Sequence, residues 1–205
     1  MIARNTSARR VLTPAVVVTL GIVLSGCGAD PQTGSTGADG SAAPTSEQLL
    51  ERLDADSEDP VEVIEQLDTM PVEDRPEGVF ASVETDELIL SDDTGDQAEL
   101  SLPDDEVYLS AAPYVEQTHE CHFHSLTTCV GEQRNSEISV KITDLDEDEV
   151  IVDEVTRTYD NGFIGYWVPA EAELEISIDH EEGSLTETVT TREGDPTCLT
   201  ELRLT

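Results

Sequence analysis

Basic residues are what this chain has least of for its size: 10 Lys plus Arg stand against 46 Asp plus Glu in 205 residues, a formal charge of −36. No basic face is left to neutralise phosphates, which excludes nucleic-acid binding and electrostatic docking on anionic lipid. Cations are the favoured partners, although acidity alone also serves simply to keep a surface hydrated. Aromatic residues are scarce at 4% and methionine occurs twice. The chain has room for one or two small domains and none for a methionine-rich metal array. No residue period marks internal repeats. Gly-rich phosphate loops, Ser/His/Asp triad signatures and paired-carboxylate contexts are missing too, so the chain reads as a binding protein more readily than as an enzyme.

Long apolar runs are also lacking, with one exception at the start. Arg4, Arg9 and Arg10 precede an apolar run over residues 11–24. Interrupted by Pro14, it is too short to span a bilayer comfortably and has the order of an export signal. It ends in Leu24-Ser25-Gly26-Cys27, which resembles a bacterial lipobox, with cleavage between Gly26 and Cys27 and lipid attached to Cys27. An ordinary small-residue cleavage site is the alternative. Residues 1–26 are therefore read as a lipoprotein signal peptide, and the mature protein as extracytoplasmic and membrane-anchored only through lipid on Cys27.

Residues 27–45, rich in Gly, Ser, Thr, Ala and Pro, cannot bury enough apolar area to order themselves and are expected to form a disordered tether. Leu49, Leu50 and Leu53 then recur at helical spacing behind Thr45 and Ser46. A second helix is expected from the Asp59 cap and Pro60, with Val63, Ile64 and Leu67 on one face and a stop before Pro71. From residue 78 the period changes to two, with strands expected over 79–83, 87–90, 97–102, 106–110, 137–142, 150–156, 163–168, 172–178, 185–191 and 198–204. The expected fold is α+β and mainly β. It comprises a small helix-plus-strand domain over 46–111 and an antiparallel β-sandwich domain over 112–205. Trp167 reads as sandwich core with one face free to border a site, His180 as an exposed loop histidine, and the acidic run 144–149 as a solvated turn, since it lacks calcium-loop spacing.

The chemistry concentrates in one stretch. His119, His122, His124, Cys121 and Cys129 fall within residues 119–129, taking three of the four histidines and two of the four cysteines. Imidazole and thiolate hold copper and zinc, and the intervening residues are too polar for a core strand. With Cys27 consumed by lipid, Cys121, Cys129 and Cys198 remain, so one thiol is left over whichever pair oxidises. Thiolates with imidazole and an unpaired sulfur suit Cu(I). Cys121, His124 and Cys129 with Cys198 or His122 also suit tetrahedral zinc. A third reading is a Cys121–Cys129 disulfide stapling a surface interaction domain that holds no metal.

These residues resemble the CueP-type periplasmic copper-binding family. Thr118-His119, Cys121, His124-Ser125-Leu126-Thr127, Cys129 and Gly131-Glu132 are similar to its central motif. The segment from Tyr159-Asp160-Asn161-Gly162-Phe163 to Trp167-Val168-Pro169 resembles its second signature, and Thr197-Cys198-Leu199-Thr200 with Leu202-Arg203-Leu204 its third. His122 and the lipobox depart from the pattern. The resemblance implies a V-shaped two-domain protein that binds copper outside the cytoplasm and whose three cysteines take part in copper handling; Cys121, His124, Cys129 and Cys198 are read as the ligands, with His119 and His122 as weaker candidates. It also implies coupling to thiol–disulfide exchange. Two neighbouring thiolates can supply two electrons, turning two Cu(II) into Cu(I) as a disulfide forms. A thiol–disulfide reductase and a copper-accepting enzyme are then the expected partners, and homodimerisation stays open.

Overall fold

The structure, a computed structural model, describes residues 45–205; the expected signal peptide, the lipid-bearing Cys27 and the tether up to residue 44 lie outside them. Local signals build the helices. At α1 (Ser46–Arg52) the Thr45 hydroxyl accepts from Gln48 N at 3.3 Å while Gln48 Oε1 accepts from Thr45 N at 2.9 Å, satisfying two otherwise orphaned N–H groups reciprocally. At α2 (Pro60–Thr69) Asp59 accepts from Val61 N at 3.0 Å, and Pro60 takes a position where a missing N–H is harmless. The buried face of α2 carries Val63, Ile64 and Leu67 and also, fully enclosed, Asp68.

Among the described residues eleven strands follow: β1 (Val79–Val83), β2 (Glu87–Asp92), β3 (Gln97–Ser101), β4 (Glu106–Ala111), β5 (His124–Ser125), β6 (Glu137–Asp144), β7 (Glu149–Arg157), β8 (Ile164–Pro169), β9 (Glu173–His180), β10 (Gly183–Thr190) and β11 (Cys198–Leu199). They form three sheets, ordered β3-β2-β1-β5, β10-β9-β6-β7 and β11-β4-β8. All pairs are antiparallel except β11 on β4. The fold is α+β and mainly β, as the period-two runs led one to expect.

The three-stranded sheet serves two cores. Alternation along β4 sends Tyr108 toward the helices and β1–β2, and Val107, Leu109 and Ala111 toward β6, β8 and β9. Trp167 stands opposite Tyr108, with ring centroids 5.1 Å apart. It therefore packs on the helix-side core rather than in the sandwich, which corrects the expectation for it. A third, small cluster joins Ala112, Cys129, Phe163 and Cys198, with Cys121 partly buried against it.

Three other expectations change. β5 was not anticipated: His124–Ser125 add to β1 through Val83 and Ser82, a pairing too short to leave a period. The strand expected over 198–204 shrinks to Cys198–Leu199. Beyond it Leu202 and Leu204 stay buried, but the backbone partners come from separate segments, Tyr114 and Ser184, so no ladder continues. His180 is not exposed: its side chain is 5% accessible at the end of β9, where its Nδ1 accepts from Glu182 N at 3.2 Å. Among the described residues no helix is long and apolar enough to cross a membrane.

Candidate metal centre

Four pieces of chain meet to build the site, and the motif residues without metal-binding chemistry are what join them. Glu132 accepts from Val115 N at 2.6 Å and Glu116 N at 3.1 Å, tying the segment leading to His119 against the loop leaving Cys129. Gly131 N donates to Asn161 O at 2.6 Å. There the two backbones touch: a Cβ on Gly131 would meet Gly162 O at 2.8 Å, and Gly162 itself sits at φ +83°, where only glycine is comfortable. The C-terminal piece is pinned by Thr197 N and Cys198 N, which both donate to His122 O at 3.0 and 3.1 Å. The Thr197 hydroxyl accepts from His124 N at 3.1 Å and donates to Val83 O at 2.5 Å.

These ties bring distant sulfurs together. Cys121 Sγ lies 3.4 Å from Cys129 Sγ, and Cys198 Sγ lies 3.7 Å from His124 Nδ1. Among the described residues Cys121, Cys129 and Cys198 are all free of disulfides. Two sets of donor atoms each fall within 4.8 Å of one another: His119, Cys121 and Cys129, and His124, Cys129 and Cys198. His122 belongs to neither set; it is exposed, stacked edge-on against Phe123, with Nε2 3.1 Å from Gly194 O. His124 is wholly buried, Cys198 is 2% exposed and Cys129 8%, whereas Cys121 is half-buried. Phe163 walls the site, its ring centroid 4.5 Å from that of His124 and 6.1 Å from that of His119.

Behind His124 stands a residue that sequence reasoning missed. Asp68 Oδ1 is 2.9 Å from His124 Nε2 and accepts from Asn161 Nδ2 at 2.7 Å. Its Oδ2 accepts from the Tyr108 hydroxyl at 2.8 Å. Asp68 can only accept, so it holds a proton on Nε2 and turns Nδ1 toward the sulfurs. Arg75 was missed as well. Its Nη1 donates to Cys129 O at 2.8 Å, while its Nε and Nη2 are buried without partners.

The charges follow from this packing. Burial opposes charge on His124, but Asp68, through its charge and hydrogen bond, and Cys129 override it and lift the imidazolium to about 9. Burial likewise works against the Asp68 carboxylate and is outweighed by His124, Tyr108 and Asn161, which hold it below the ordinary 3.8. Hydrogen bonds from Cys121 first, then Cys198 and His124, drive Cys129 far below an ordinary thiol. Its neighbours keep their protons: contact with Cys129 pushes Cys121 up to about 11, and contact with Cys121 and Cys129 pushes Cys198 higher still. Of the three sulfurs, Cys129 is thus the one most strongly favoured as thiolate, beside a His124 ring favoured as imidazolium.

Soft, polarisable donors packed against Ala112 and Phe163 fit a soft monovalent ion. A family model described as the periplasmic copper-binding protein CueP matches residues 62–203. A solved structure described as "Crystal Structure of S.CueP" is 34% identical, with TM-score 0.71, covering 80% of this chain and 100% of that chain. The search of curated proteins returns no match. The matched span includes every donor of both sets, and the chain belongs to the CueP family of periplasmic copper-binding proteins.

Proposed function

We propose that this chain is an extracytoplasmic lipoprotein that takes up copper on Cys121, Cys129, Cys198 and His124 in order to sequester or deliver it, and that its thiols reduce Cu(II). The observation that carries the reading is the meeting of Cys198, from the tail, with His124 and Cys129 in a buried pocket, where thiolate and imidazole favour Cu(I) over harder ions. In the redox step two Cu(II) each take one electron, the sulfurs of Cys121 and Cys129 form a disulfide, and their remaining protons leave to solvent. A separate dithiol reductase restores the thiols.

Titrating the reduced protein with Cu(II) while following Cu(I) and free thiols tests this. The expected result is two Cu(I) per disulfide formed; unchanged thiols and no Cu(I) remove the reductive part. Three thiols and an imidazole could also complete a tetrahedral zinc site, so zinc is to be offered in competition, with copper expected to displace it. Anchoring is tested separately, since Cys27→Ala should move the protein from the membrane fraction to the soluble one.

A further inference from the structure

The two donor sets share one atom, the sulfur of Cys129. We propose that they are two copper positions used in succession: an outer position of His119, Cys121 and Cys129 that receives Cu(I), and an inner position of His124, Cys129 and Cys198 that holds it. The proposal rests on the copper reading above and adds an order of events to it.

Three observations carry it. Burial is graded between the sets: His119 and Cys121 are half-buried, whereas His124 is 0% and Cys198 2% exposed. An ion arriving from solvent therefore meets the first pair before the second. A cleft of about 610 Å³ is lined by His119 and Cys121 of the outer set and reaches Cys198 of the inner one, with Glu120, Glu187 and Glu201 among its walls; its acidic rim raises the local concentration of cations. Finally, His119 Nε2 is buried and has no hydrogen-bond partner. An orphaned nitrogen on an imidazole that belongs to a donor set with two sulfurs is a standing cost unless a ligand completes it.

The inner set is built differently. The far nitrogen of His124 is fixed by Asp68 at 2.9 Å, whereas His119 packs only edge-on against Phe163. A rigid imidazole suits holding, and a loosely held one suits capture and release. Cu(I) is satisfied by two or three soft donors, so one ion has no use for all five at once.

The hand-over is a ligand exchange without electron transfer. The bond from copper to Cys129 persists. Bonds to Cys121 sulfur and His119 nitrogen break as bonds to Cys198 sulfur and His124 nitrogen form, and protons displaced from the inner pair pass to the outer pair. Because Cys129 keeps its hold, the ion never crosses the apolar pocket bare.

The test is stopped-flow uptake by the reduced full-length protein from the bicinchoninate complex of Cu(I), with equilibrium competition and X-ray absorption on the same samples. The wild type should take up one ion in two phases. His119→Ala should slow the fast phase about ten-fold or more while equilibrium affinity changes by less than about three-fold. Cys198→Ser should keep the fast phase, lose the slow one, and lose affinity about 100-fold, with the remaining copper bound by two sulfurs and one imidazole. A single phase in the wild type overturns the proposal, as does a loss of affinity in His119→Ala equal to that in Cys198→Ser. Failure of the wild type to bind Cu(I) at all overturns the copper reading instead, and the relay with it. His119 is half-buried and makes no side-chain hydrogen bond that the fold depends on, so its variant is informative even if Cys198→Ser folds poorly.

Discussion

Asp68 Oδ1 and His124 Nε2 lie 2.9 Å apart with both side chains at zero exposure, a carboxylate–imidazole pair that links the end of α2 to the metal-binding loop. A buried pair of this kind does little for stability against an apolar replacement, but removing one partner strands the other. Its value here is direction: the carboxylate decides which nitrogen of His124 faces the sulfurs.

Asp68→Asn should therefore impair binding as well as folding. The amide would point N–H groups at donors already supplied by Asn161, Tyr108 or His124. Cu(I) affinity should fall about 10–100-fold, the usual range for losing a residue that orients a metal ligand. Unfolding free energy should fall by about 3–5 kcal/mol. Chelator competition and urea unfolding read the two effects. Unaltered affinity in a folded variant would show that His124 is not a ligand.

Much of this was legible in the sequence, and the gaps have physical reasons. The Cys and His donors stood out because soft ligands are rare in an acidic chain, and the strands because alternation persists wherever one face is buried. Asp68 left only a faint signal, an acid on the apolar face with Val63, Ile64 and Leu67, and its partners lie 40 to 93 positions away. Trp167 was misplaced because alternation states which residues share a face but not which of two cores that face meets. His180 looked exposed because its neighbours are acidic, whereas a strand end buries the imidazole against its own turn.

The pH dependence of the metal-free, reduced protein follows from signs. His124 is raised from 6.5 to about 9, so alone it adds stability that is full below 6.5 and lost as pH rises through about 9. Cys129 is depressed below its ordinary 9.0, so its contribution is complete above 9.0 and is lost as pH falls. Between 6.5 and 9 the folded chain holds one proton on this pair, on His124, and the unfolded chain holds one, on the thiol; the two slopes cancel. Cys121 at about 11, with Cys198 higher, keeps protons that the unfolded chain gives up at 9.0, so stability falls above that pH. Urea midpoints should be level from pH 6.5 to 9 and drop beyond. In Cys129→Ser the plateau should tilt downward, by at most about 1.4 kcal/mol per pH unit.

Gly165 offers a test of the Asp68 network from its far side. It lies opposite Ser110 on β8, and a Cβ there would collide with the ring and hydroxyl of Tyr108, the group that donates to Asp68. Gly165→Ala should lower thermal stability and weaken Cu(I) binding in the same direction as Asp68→Asn. Gly95→Ala is the control: its backbone, at φ +89°, suits alanine less well than the strand backbone of Gly165, but nothing lies within 4 Å of the added carbon. It should cost about 1–2 kcal/mol and leave copper affinity unchanged.

Mild oxidation should choose its disulfide by geometry and charge together. Cys129 carries the thiolate, and thiolates are the attacking species in thiol chemistry. Cys121 is in contact at 3.4 Å and half-buried, open to an oxidant or a reductase through the cleft. Cys198 lines the same cleft but is only 2% exposed and lies 3.7 Å from His124 Nδ1, so it offers far less surface to either. Peptide mapping after oxidation with a small disulfide should find Cys121 joined to Cys129 and Cys198 free. Cys198→Ser should leave that bond in place, while Cys121→Ser should slow oxidation, since the remaining partner, Cys198, is only 2% exposed. Recovery of a Cys129–Cys198 bridge as the main wild-type product would mean that the tail, not the cleft-facing loop, supplies the exchanging sulfur.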